Sequence, residues 1–112
     1  MYDAAAFSEE VIRRWGASCP RLEYDAGRLH CQMFELAVAI RESFSTGRAD
    51  LRDAILGFIE HLLERNDADP EIANAVAISF IELAEAQSLG LALPPRIKLV
   101  LVDQQARYAR AT

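Results

Sequence analysis

Cysteine, lysine and tryptophan are all scarce in this chain of 112 residues, with two, one and one respectively. Cys19 and Cys31 form no C-x-x-C pair and are too few to frame a disulfide scaffold. Both are expected to be reduced thiols in structural roles, in a reducing compartment. No apolar run approaches the roughly 20 residues that a membrane helix needs. The opening stretch MYDAAAFSEE carries acids early and no basic region before an apolar one, so no secretory signal is expected and a cytoplasmic location is. Net basic charge is lacking too. Twelve basic residues, eleven of them Arg, face seventeen acids for a net of −5, and no dense Lys/Arg stripe occurs, so nucleic acid is not an expected partner. G-x-G-x-x-G, a phosphate-cradling Gly-rich loop, a Walker lysine and H-E-x-x-H are all missing. What is there is 52% apolar and 26% charged, the composition of an ordinary globular protein rather than a disordered one. A chain of this length buries roughly two-thirds of its unfolded surface, enough for one domain, residues 1–112, without metal or disulfide support.

Apolar spacing near 3.6 runs through most of the sequence and predicts an all-α, single-domain bundle of about five helices. The first is expected over Ala4–Trp15, with Phe7, Val11 and Trp15 on one stripe, Asp3 as its cap and Gly16 as a left-handed residue after its end. GASCPRLEYD reads as a loop, because Pro20 biases Cys19 away from helical geometry. A second helix is expected from after Asp25 to Phe44, on the stripe Leu29, Met33, Leu36, Ile40 and Phe44, with Phe34 and Ala37 widening the apolar face. The third is expected over Leu51–Arg65 behind Asp50 as cap, with Leu51, Ile55, Phe58, Ile59 and Leu62 inward. Asp69-Pro70-Glu71 is a restart signal: a cap, a proline at the first helical position and an acid at the positive end of the dipole. The fourth helix then runs from Pro70 to about Ser88, apolar nearly all round over Ala75–Ile81. In the last segment Ile97, Leu99 and Leu101 alternate weakly, as in a strand. Pro95 and the unbroken run DQQARYAR favour instead a helix over Arg96–Ala109, as do nineteen alanines spread along the chain.

The charge is unevenly placed. Residues 60–71 hold Glu60, Glu64, Asp67, Asp69 and Glu71 against Arg65, a net of −4, and residues 94–112 carry a net of +3. On the third helix Asp53, Gly57, Glu60 and Glu64 share one stripe. Glu60 and Glu64 are a like-charge i, i+4 pair, worth about 0.2–0.5 kcal/mol against an isolated helix. Gly57 costs about 1 kcal/mol relative to Ala. Neither choice helps folding, and a low, acidic surface suits the docking of a basic partner. Against this stands a simpler reading: a solvated face that aids solubility, with Gly57 making room for a neighbouring helix. Asn74 and Ser79 interrupt the fourth helix, and Asn74, Glu82 and Glu85 offer a second polar side that is either structural or a partner surface. His61 with Glu64 is one half of a carboxylate metal site with no second half in the sequence. No signature joins Cys19, Cys31 or Ser79 to a histidine base. Neither a metal, a cofactor nor an enzymatic activity is therefore expected. The basic tail is expected either to complement the last helix dipole or to pair with the acidic corner of another copy, giving a homodimer.

The stretch FIEHLLERNDADPEI followed by Asn74-Ala75-Val76-Ala77-Ile78-Ser79-Phe80-Ile81-Glu82 resembles a family of small helical bacterial proteins found among the immunity or antitoxin partners of polymorphic toxins. The shared pattern is an acidic FxExLL helix, a short Asp-rich turn and an NAVAxSFLE-like helix, with Ile81 here in place of Leu. It covers residues 51–85. The resemblance implies a cytoplasmic, non-enzymatic protein that binds a cognate toxin domain and blocks it. An acidic inhibitor suits a toxin with a basic groove. On that reading Glu60, Glu64, Asp67 and Asp69 are the first candidates for the contact surface, and Asn74, Glu82 and Glu85 the second. The alternative is a small helical scaffold or homodimeric adaptor without a toxin partner.

Overall fold

The computed structural model describes residues 1–80 and 93–111, with side chains described through Ala106 except at Gln105. The described helices are α1 (Ala4–Trp15), α2 (Arg21–Tyr24), α3 (Leu29–Thr46), α4 (Ala49–Glu64), α5 (Pro70–Ser79) and α6 (Pro95–Ala111). The fold is all-α, and the described residues contain no strand, only one isolated bridge between Tyr2 and Ala68. The weak alternation after Pro95 is therefore helical. The helix expected to about Ser88 ends at Ser79 with Phe80 after it, and the rest of that stretch, with Glu82 and Glu85, lies outside the described residues.

Helix α3 is the central element, packed against α1, α2, α4 and α5, while α6 lies against α4 and α5. Its core stripe is the expected one for four positions, Leu29, Met33, Leu36 and Ile40, all buried. Phe44 departs from it. Its ring is 37% exposed and lies under the Arg52 guanidinium at 5.0 Å, and Ser43 takes the buried position instead. Helix α1 buries Phe7, Val11 and Trp15 as its spacing requires. Phe58 of α4 sits between two of them, stacked on Phe7 at 6.2 Å and edge-on to Trp15 at 5.3 Å. Such ring pairs contribute about 0.5–1.5 kcal/mol beyond the area they bury. From α5 come Ile72 and Val76, from the residue after its end Phe80, and from α6 Ile97 and Leu101, all buried in the same core.

The local signals divide. Asp3 caps α1 by accepting the Ala6 N–H at 2.9 Å, and Asp69 caps α5 by accepting the Glu71 N–H at 2.9 Å, with Pro70 at the first helical position. Gly47 closes α3 in the left-handed region at φ 71°. Gly16 does not do so for α1. It stays right-handed at φ −57°, where an added Cβ would stand 2.5 Å from the Ile12 carbonyl oxygen, so close approach rather than handedness calls for glycine. Asp50 is not the cap of α4, which starts one residue before it behind Arg48.

The expected loop after Gly16 contains α2. Pro20 precedes this single turn in helical geometry, and the turn exists to bury Leu22. Buried polar groups hold it. The Gln32 amide nitrogen donates to the Leu22 carbonyl at 2.9 Å and to Ser8 Oγ at 3.0 Å, and Ser8 Oγ also accepts the Gly27 N–H at 2.9 Å. One side-chain amide thereby ties α1, α2 and α3 together.

A second tie joins the start of the chain to the α4–α5 connection. Tyr2 N–H donates to the Asp67 carbonyl at 2.7 Å, and its own carbonyl accepts the Asp69 N–H at 2.8 Å. The Tyr2 hydroxyl donates to Glu10 at 2.6 Å, and the Arg65 guanidinium covers the ring at 4.3 Å. Burial, and then the Glu10 carboxylate, push the phenol well above its ordinary range. Burial alone would raise the Glu10 carboxyl. The hydrogen bonds from Tyr2 and Arg14 outweigh it and hold the group below its usual value.

Candidate functional site

The apolar face of α4 packs Ile55, Leu56, Phe58, Ile59 and Leu62 inward. Helical spacing then turns Asp50, Asp53, Ala54, Gly57, His61 and Glu64 outward, and all six are exposed. The centre of this face, at Ala54 and Gly57, has almost no relief. Among the described residues, a Cβ built on Gly57 would meet nothing within 4 Å beyond its chain neighbours and its own helix backbone. The expectation that Gly57 makes room for a neighbouring helix is therefore not met among the described residues, where no element approaches it.

The carboxylates around this centre are loosely held. Asp50 lies 3.5 Å from Arg48, Asp53 lies 3.4 Å from Arg52, and Glu64 lies 3.5 Å from Arg96. Exposed pairs of this kind contribute about 0–1 kcal/mol, so a partner's cation can replace any of these arginines at little cost. The Asp50 carboxyl lies below its usual value, first through the hydrogen bond from the Leu51 amide, which outweighs the opposing effect of burial, and further through Arg48.

Glu60 behaves differently from its neighbours. Its carboxylate accepts the Arg96 N–H at 3.1 and 3.0 Å on its two oxygens and the Ile97 N–H at 3.1 Å. Pro95 opens α6 without an N–H of its own, and the next two amides would be unpaired but for this carboxylate from another helix. A negative charge also complements the positive end of the α6 dipole. Glu60 thus helps folding, contrary to the reading of its like-charge pairing with Glu64. The Arg96 side chain beside Glu64 relieves the rest. For Arg96, the acidic corner and the basic segment meet within one chain.

The remaining candidates are spread around the α4–α5 connection. Asp67 forms a two-pronged pair with Arg65, 2.8 and 2.7 Å, and this hydrogen bonding draws its carboxyl down to about 2. Asp69 is the α5 cap. Asn74 donates to Glu71 at 3.1 Å on its own helix rather than to a neighbouring loop, and the other Glu71 oxygen lies 3.1 Å from His30 Nε2 on α3. Glu64, Asp67 and Asn74 are exposed, whereas Glu60 and Asp69 are partly covered. Glu82 and Glu85 lie outside the described residues.

Among the described residues no group of three or more His, Cys, Asp or Glu side chains is placed to hold a metal ion, and no helix is long and apolar enough to cross a membrane. Cys19 and Cys31 are unpaired, and burial first, then Glu35 and Glu42, push the Cys19 thiol up.

A second surface escaped the sequence reading. Tyr24 on α2, Phe34 on α3 and Ile78 on α5 are 79%, 45% and 49% exposed, and they border one open groove. Phe34 was expected to widen the core face, and α5 to be apolar nearly all round. The signal was present on α3, where His30, Phe34, Val38 and Arg41 follow one another at spacings of four, four and three, a stripe beside the core stripe.

The chain belongs to the family of the domain of unknown function DUF7674, whose model matches residues 6–100, from within α1 into α6. No curated protein and no solved structure matches it.

Proposed function

We propose that the protein is a non-enzymatic protein-binding module and that it acts as an immunity protein, binding and neutralising a cognate bacterial toxin domain through the outer face of α4. The observation that carries this reading is Gly57. A glycine in a helix interior costs about 1 kcal/mol relative to alanine, and here no other element among the described residues comes within 4 Å of where its Cβ would stand. A bare backbone ringed by Asp50, Asp53 and Glu64 suits close approach by a basic surface, with steering by charge. The resemblance of residues 51–85 to immunity proteins supplies the class of partner.

Glu60 and Asp69 are unsuitable probes of this surface, because each holds a helix end. Glu64 and Gly57 are suitable. Co-expression with the product of the neighbouring gene tests the reading. The wild-type chain should relieve growth arrest caused by that product, and Gly57→Gln with Glu64→Lys should not, although the variant stays folded. Equal protection by both would remove α4 from the account, and no protection by either would remove the toxin.

The second reading, a homodimeric adaptor, is favoured by Leu99 and Val102. They lie one turn apart on α6 and are 68% and 54% exposed. Sedimentation at increasing concentration separates the two, since a monomer at all concentrations contradicts the dimer.

A further inference from the structure

A groove of about 810 Å³ lies between α2, α3 and α5, apart from the α4 face. Tyr24, Phe34 and Ile78 supply its apolar surface, and Arg21, Arg28 and Arg41 stand among them. In a chain of net charge −5 this grouping runs against the overall sign. Two carboxylates also line the groove, Asp25, only 6% exposed, and Glu35, which pairs with Arg21 at 3.5 Å, so three arginines stand against two acids, a net of +1. The Arg28 guanidinium is exposed and has no hydrogen-bond or ion-pair partner among the described residues. Arg21 also lies over the Tyr24 ring at 5.9 Å.

We infer that this groove docks a segment of a partner protein that carries apolar anchors flanked by Asp or Glu. Aromatic and arginine side chains are the ones that dominate binding energy at protein interfaces. Guanidinium groups match carboxylates in a planar, two-pronged geometry. Phe34, Ile78 and Tyr24 offer exposed apolar surface on which such anchors can pack. A nucleic acid fits less well, because the chain as a whole repels phosphates. The inference does not rest on the α4 reading, and the two surfaces take partners of opposite charge.

Selection of a displayed random 15-residue peptide library on the full chain tests it. Enriched peptides should combine acidic residues with apolar anchors. Phe34→Ser, Tyr24→Ala and Arg28→Glu should each weaken the selected peptides at least about tenfold in fluorescence anisotropy. Glu64→Lys should leave them within about twofold, since Glu64 does not line the groove. All three groove positions are exposed, and unchanged melting curves will show that the variants fold. The inference is overturned if no peptide is enriched, if enrichment favours basic or uncharged sequences, or if the groove variants bind as well as wild type. Tighter binding of a single-stranded 15-nucleotide DNA, lost in Arg28→Glu, would assign the groove to nucleic acid instead.

Discussion

Replacing Gly57 by alanine should make this protein more stable. Gly57 is the ninth of sixteen residues in α4, so the full interior helix propensity applies, about 0.8–1.0 kcal/mol in favour of alanine. The gain is entropic, since glycine loses more backbone freedom on folding than any other residue. Nothing among the described residues offsets it, because beyond the neighbouring residues and the helix's own backbone no atom lies within 4 Å of the new Cβ, and the residue is exposed. For a domain of this size about 1 kcal/mol corresponds to a rise of about 4 °C in Tm. Urea denaturation followed by far-ultraviolet circular dichroism measures it directly, with a higher midpoint and unchanged slope expected. Gly57→Gln should retain most of the gain, because glutamine is also a good helix former, while its longer side chain covers the flat centre of the face. A midpoint that stays put or falls would mean that glycine serves the fold itself, and the argument from Gly57 to a binding face would collapse.

Other perturbations check the rest of the structure. Leu22→Ala should cost about 2–5 kcal/mol in urea denaturation, because Leu22 is wholly buried in α2; a cost near zero would mean that the turn does not pack as described. Ser8→Ala removes the acceptor of both the Gln32 amide and the Gly27 N–H and should cost about 1–3 kcal/mol by the same measurement. Glu60→Ala should cost about 1–2 kcal/mol and raise amide exchange in the first turn of α6, whereas Glu64→Ala should change neither. Stability should also fall in acid. The Glu10 carboxyl lies below its usual 4.5, and the Asp67 carboxyl is drawn down from 3.8 to about 2. The unfolded chain therefore binds protons first, and the stabilisation present above those usual values is lost as pH drops through the folded ones. The urea midpoint should decline from pH 5 to pH 2, and more shallowly in Glu10→Gln; an equal slope would dissociate Glu10 from the acid response.

Periodicity made the helices of this chain legible because their stripes are regular. Leu29, Met33, Leu36 and Ile40, or Ile55, Phe58, Ile59 and Leu62, admit one inward face each. Asp69-Pro70 announced a helix start with a mechanism attached. One turn such as α2 has too few residues for a period to emerge, and its reason for existing is the burial of Leu22, whose carbonyl accepts from the Gln32 side-chain amide ten residues away. The apolar count could not tell Phe34 from Phe44 or from Phe58, because only the number of helices around α3 decides which side remains open. The acidic corner was legible as composition, and its individual roles were not. Glu60 and Glu64 are one turn apart and chemically alike, yet Glu60 holds the amides of α6 while Glu64 faces solvent beside Arg96. That distinction depends on where residue 96 returns, a contact 36 positions away.

The central claim is that this is a binding protein whose acidic α4 face carries the partner. Affinity capture with the tagged wild-type chain and with the Gly57→Gln, Glu64→Lys variant, each washed at low and at high salt and read by mass spectrometry, tests it most directly. One stoichiometric basic partner held by the wild type, released by salt and missing from the variant is the predicted result. Recovery of the chain alone, or the same partner retained equally by the variant, would contradict it.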